Sequence, residues 1–71
     1  MKVYSQDFDT YEVGEDNVKR YVTDFICDDA DEIPTSDSEM FKYPAGSTIY
    51  CTANGKVYVL NAAQNEFVEV E

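Results

Sequence analysis

The clearest pattern of apolar and polar positions lies in the last third of the chain. Two runs rich in β-branched and aromatic residues, Thr-Ile-Tyr-Cys-Thr-Ala and Lys-Val-Tyr-Val-Leu, flank Asn54-Gly55. Asn-Gly between such runs is a strong hairpin signal, because both residues tolerate the positive φ of a two-residue turn. The pattern predicts a strand Thr48–Ala53, a turn at Asn54-Gly55 and a strand Lys56–Leu60. That turn sets Ala53 opposite Lys56, Cys51 opposite Tyr58 and Ile49 opposite Leu60 on one face. Thr52 then opposes Val57, and Tyr50 opposes Val59, on the other. Both faces are largely apolar, so the hairpin is expected at the centre of the fold, with the core on one side and the N-terminal arm or a partner on the other. A polar turn at Asn61–Asn65 precedes a third strand, Phe67–Val70, flanked by Glu66, Glu69 and Glu71. Charges in those places discourage edge-to-edge aggregation.

The first 27 residues are harder to assign. Residues 2–13 read as two short strands around Gln6–Asp9 or as an irregular arm, with Val3, Phe8, Tyr11 and Val13 as the buried positions and Gly14 as the end of the unit. In residues 15–27, Val18, Tyr21, Val22, Phe25 and Ile26 follow the spacing of one helix face, and Glu15, Asp16 and Asn17 suit a helix N-terminus. Tyr-Val-Thr-Asp-Phe-Ile-Cys is nevertheless dense in strand formers. The reading that accommodates both is a short helical turn near 15–20, then a strand from Tyr21 to Cys27 or Asp28. Residues 28–47 form an irregular acidic loop, in which Pro34 keeps Ile33 extended. Met40, Phe41 and Tyr43 are expected to plug the end of the core, and Pro44-Ala45-Gly46 to turn the chain into the hairpin.

The fold class expected is therefore mainly β: a single small domain over 1–71, built on an antiparallel β-meander with at most one short helix. Its parts are an acidic N-terminal arm and strand (1–27), an acidic loop (28–47) and a three-stranded meander (48–70). A chain this short buries only about 60% of the surface its unfolded form exposes, so stability is marginal unless it is stapled or assembles.

Charge narrows the partners. The net charge is −10, and residues 1–41 hold twelve of the fifteen acids against Lys2, Lys19 and Arg20, a net of −9. Residues 42–71 carry a net of −1. Such a field repels nucleic-acid backbones and anionic membranes and favours basic partners. No apolar run approaches the roughly 18 residues of a membrane span. The N-terminal Met-Lys-Val-Tyr-Ser-Gln-Asp lacks the apolar stretch of a signal peptide. A reducing compartment is expected, with Cys27 and Cys51 as buried free thiols and a disulfide between them as the alternative.

Little chemistry is available. The chain has no His, which removes Ser-His and Cys-His pairs. No phosphate-binding loop, dinucleotide fingerprint or zinc spacing occurs. Asp28, Asp29, Asp31 and Glu32 lack the register of a calcium loop and read as a solvated acidic stretch. No catalytic residue, metal site or cofactor is expected, and the protein is read as a non-enzyme. The six tyrosines suit core and interface roles.

From Asp28 onward the chain resembles small structural proteins of tailed bacteriophages and prophages. The residues that carry the resemblance are Ala30-Asp31-Glu32-Ile33-Pro34-Thr35, Gly46-Ser47-Thr48, Lys56-Val57-Tyr58-Val59-Leu60-Asn61 and Phe67-Val68-Glu69-Val70. Phe67 stands where such sequences often carry Trp. The resemblance implies a non-enzymatic head, tail or fibre component, found in the virion or in the bacterial cytoplasm during assembly. It would work through protein–protein contacts, as a homo-oligomer or docked on a larger assembly, and the second face of the hairpin offers Tyr50, Val57 and Val59 as the partner-binding residues. The acidic half motivates a different class, a small acidic inhibitor or DNA mimic that occupies the basic groove of a nucleic-acid enzyme.

Overall fold

A computed structural model describes residues 1–70. Among them five strands, β1 (Lys2–Val13), β2 (Lys19–Cys27), β3 (Thr48–Cys51), β4 (Lys56–Leu60) and β5 (Phe67–Val70), form one sheet in sequential order. Short 3₁₀ turns at Ala30–Glu32 and Glu39–Lys42 punctuate the connection from β2 to β3. The protein is mainly β, and β3, β4 and β5 form the expected antiparallel meander. β1 and β2 pair antiparallel, whereas β2 and β3 run parallel, so the sheet is mixed. A parallel pair needs a long crossover, which residues 28–47 supply without an α-helix.

That crossover covers one face of the sheet. Phe25, Cys27, Ile49, Cys51, Leu60 and Phe67 are buried there, and Ile33, Met40, Phe41, Tyr43 and Tyr58 pack against them. Tyr43 meets Phe25 edge-on at 5.0 Å, and Phe41 stacks on Phe67 at 5.8 Å. The apolar islands Met40, Phe41 and Tyr43 thus close the core as expected. One buried hydroxyl holds the crossover to the sheet. Ser47 Oγ donates to the Pro44 carbonyl at 2.8 Å and accepts the Thr23 N–H at 3.3 Å.

The N-terminal region departs from expectation in three ways. Residues 2–13 are one strand with two register irregularities, between Val3 and Ser5 and between Asp7 and Tyr11. Val3, Phe8, Tyr11 and Val13 are exposed rather than buried. The reason is position: β1 is an edge strand that lengthens the sheet, and the crossover does not reach over it. Phe8 and Tyr11 instead pack edge-on against Tyr21, with Lys19 Nζ 4.1 Å above the Tyr11 ring. The short helical turn near 15–20 is absent. Asn17 takes φ +62°, its N–H bonds the Gly14 carbonyl at 3.0 Å, and the Gly14 N–H bonds Val18 O at 3.1 Å. The chain reverses there and β2 begins at Lys19. Pairing on both edges satisfies the β2 backbone, which outweighs the helix-like spacing of its apolar residues.

The Asn54-Gly55 hairpin forms, but not in a two-residue register. Cys51 opposes Lys56, Tyr50 opposes Val57, Ile49 opposes Tyr58 and Thr48 opposes Val59, leaving residues 52–55 as the loop. Thr52 is drawn away from β4 because its N–H donates to the Cys27 carbonyl at 2.9 Å and its Oγ1 donates to the Asp28 carboxylate at 2.8 Å. The Gly55 N–H then bonds the Cys51 carbonyl, and Asn54 Oδ1 accepts the Lys56 N–H at 3.0 Å. The register moves by two residues, so every side chain keeps its expected face. Gly55 sits at φ +69°. Gly55→Ala is expected to cost about 1–2 kcal/mol, the penalty of a Cβ in the left-handed region, read as a lower urea midpoint. On β5, Glu69 bonds Lys56 Nζ at 2.7 Å; Glu71 lies outside the described residues.

Candidate functional site: the open face of the sheet

Strand alternation sends every second residue away from the core. On β2 these are Val22, Asp24 and Ile26; on β3, Thr48 and Tyr50; on β4, Val57 and Val59; on β5, Val68 and Val70. The register aligns them in rows. Ile26 opposes Tyr50, Tyr50 opposes Val57, and Val57 opposes Val70, which makes one apolar row across four strands. The next row runs Ser5, Asp24, Thr48, Val59, Val68. Its polar end is tied together, since Ser5 Oγ and Thr48 Oγ1 both donate to the Asp24 carboxylate, at 2.8 and 2.7 Å.

Tyr50, Val57 and Val59, the three residues singled out in the sequence, stand side by side on this face. Tyr50 is 44% exposed, while Val57 and Val59 are half-buried by their neighbours in the sheet. Val68 and Val70, 45% and 50% exposed, extend the patch to the β5 edge. Tyr4, at the irregularity of β1, leans over the opposite end, and with Ile26, Tyr50 and Val57 it lines a shallow depression of about 420 Å³. Sequence reasoning missed Tyr4, Ile26, Val68 and Val70. Strand parity within Tyr21–Cys27 and Phe67–Val70 carried the signal for the last three. Of the two expected coverings of this face, the N-terminal arm and a partner, the arm is not one, because β1 joins the sheet edge instead of folding across it.

The carboxylates are spread over β1, the β1–β2 turn, the crossover and β5, and many have structural partners. Asp28 accepts from Thr52 Oγ1 at 2.8 Å, and Asp29 caps the first 3₁₀ turn by accepting the Asp31 N–H at 2.9 Å. Arg20 pairs with Asp16 at 3.0 Å and Glu39 at 3.6 Å, and Lys42 bonds Glu39 at 3.2 Å, which ties the β1–β2 turn to the crossover. Among the described residues no group of three His, Cys, Asp or Glu side chains converges as a metal site, and no helix is long and apolar enough to cross a membrane.

No known family model, curated protein or solved structure matches this chain. The reading of its function therefore rests on its own residues.

The Asp16–Arg20 pair gives a direct check on the turn. The Arg20 hydrogen bond, helped by the Val18 N–H, holds the Asp16 carboxyl down at about 2. A depressed carboxyl contributes to folding above its ordinary range near 4, and the contribution vanishes as pH falls toward 2. An NMR titration is expected to place the Asp16 midpoint near 2 in the native chain and to move it upward in Arg20→Gln. A midpoint in the ordinary carboxylate range in the native chain would refute the pair.

Proposed function

We propose that this chain is a non-enzymatic structural or assembly protein that works through protein–protein contact on the open face of its sheet. The observation that carries the reading is the in-register row Ile26, Tyr50, Val57 and Val70, an apolar band on a sheet whose other face alone is covered. Contiguous exposed apolar surface of this kind marks interaction sites. The resemblance of the segment from Ala30 to Val70 to phage and prophage structural proteins supports a place in a head, tail or fibre.

The occupant of the face, in this reading, is a second copy. The patch lies mainly on β3–β5, in the part of the chain whose net charge is −1, so two copies can meet there with their acidic β1–β2 hairpins held apart. The molecule measures 34 × 24 × 20 Å, so its whole broad face is on the order of 800 Å² and the patch is a part of it, the size of a weak, concentration-dependent interface. Light scattering over a concentration series is expected to show the mass rising above that of one chain. Added salt is expected to strengthen the association, because it screens the repulsion between copies of charge −10. A strict monomer at high concentration, in low and high salt alike, would overturn the reading.

A further inference from the structure

Cys27 ends β2 and Cys51 ends β3, and the parallel register sets them directly opposite each other. Both point into the core and both are thiols, with Cys27 3% and Cys51 0% exposed. Directly opposed residues on neighbouring strands have Cα atoms roughly 4.7–4.9 Å apart, inside the range of about 4.4–6.8 Å that disulfides bridge. We infer that Cys27 and Cys51 form a cross-strand disulfide on oxidation, and that this bond is a redox-controlled staple between the two halves of the sheet.

The location gives the bond its consequence. β2–β3 is the pairing through which the β1–β2 hairpin joins the β3–β5 meander. In the dithiol form that junction is held by backbone pairing, side-chain packing and the Thr52 N–H bond to the Cys27 carbonyl. Oxidation adds a covalent tie that encloses the crossover, a loop of about two dozen residues, and so removes unfolded-state entropy. Both cysteines sit at the last position of a strand, where the backbone can adjust to the sulfur geometry. Burial pushes the Cys27 thiol up, and the neighbouring Cys51 adds to the shift, so at neutral pH Cys27 rests as a thiol and reacts when the junction opens.

The oxidant is a small disulfide of the glutathione type. One cysteine thiolate attacks it and releases one small thiol, leaving a mixed disulfide on the protein. The second cysteine attacks the protein sulfur of that bond and expels the other small thiol. Two protein thiols lose two protons and two electrons, and the small disulfide gains both. The bond lies on the core face, so the open face stays the same in either state.

The test is equilibration of the native chain in glutathione buffers of graded redox ratio, with acid quench and mass spectrometry. The expected product is a single chain lighter by two hydrogens, with no retained glutathione, reversed by dithiothreitol. Repeating the titration in urea gives the unfolded reference. The folded chain is expected to form the bond about 30-fold or more favourably than the unfolded one, and the oxidised form to melt roughly 10–20 °C higher. Cys51→Ser is expected to retain one glutathione and gain no stability. An equal or lower tendency to oxidise when folded, a persistent mixed disulfide on the native chain, or disulfide-linked dimers as the main product would each overturn the inference.

Discussion

Ile49→Ala is expected to lower the stability of the chain by about 2–5 kcal/mol. Ile49 is fully buried at the middle of the sheet, opposite Phe25 on β2 and Tyr58 on β4. Truncation removes the transfer energy of the lost carbons and leaves a cavity between two strands and the crossover. A domain of this size holds only about 4–10 kcal/mol in total, so the loss consumes a large share of it. The chain has no Trp, so tyrosine fluorescence or far-UV circular dichroism in a urea series is the measurement. The expected result is a midpoint lower by at least about 1 M urea with an unchanged slope. A loss below about 1 kcal/mol would mean that Ile49 is not in a packed core.

Tyr50→Lys is expected to weaken self-association by at least about tenfold, with a change in folding stability of about 1 kcal/mol or less. Tyr50 sits at the centre of the apolar row, between Ile26 and Val57, with nearly half its surface open. In a two-fold interface each substitution acts twice. The choice of lysine separates two causes. It reduces the net negative charge, and with it the long-range repulsion between copies, so a loss of association reports the disrupted apolar face, including the cost of burying an ammonium there, and not a stronger long-range repulsion. Val3→Lys is the matched control: Val3 is 54% exposed, but it sits on β1 opposite Phe25, on the other side of the sheet. Dissociation in both variants to the same degree would place the interface elsewhere, and retained association in Tyr50→Lys would remove the open face from the proposal.

The sheet's mixed topology bears on both results. Because β2 lies between β1 and β3, removing side chains at the β2–β3 junction separates the molecule into a hairpin and a meander. Neither has a sufficient core of its own, since the buried side chains come from β2, β3, β4 and β5 together. A truncation at Ile49 is therefore expected to lower the stability of the chain as one cooperative unit, whereas changes on β1 act on an edge.

Much of the candidate site was legible before any coordinates. The period-two pattern assigned Ile49, Cys51, Tyr58 and Leu60 to one face and Tyr50, Val57 and Val59 to the other, and those faces hold in the fold. They hold even though the loop is four residues and not two, because a shift of two residues preserves parity. Tyr50, Val57 and Val59 could be named for this reason alone. The strands Lys56–Leu60 and Phe67–Val70, the irregular crossover and its core-closing Met40, Phe41 and Tyr43 were legible in the same way.

What the sequence determined by itself is thus each side chain's face within its own strand, a property set by local geometry every two residues. The tertiary structure alone decided how β1 and β2 joined the β3–β5 meander. It placed β1 at an edge, where Phe8 and Tyr11 stay exposed, and not over the second face of the hairpin. It ran β2 parallel to β3, which brought Cys27 opposite Cys51, and it let the Cys27 carbonyl take the Thr52 N–H bond that resets the Asn54-Gly55 turn. Pairing of this kind depends on competition among distant backbone donors and acceptors and on how far a connecting loop can reach, and neither is written in the alternation of one segment.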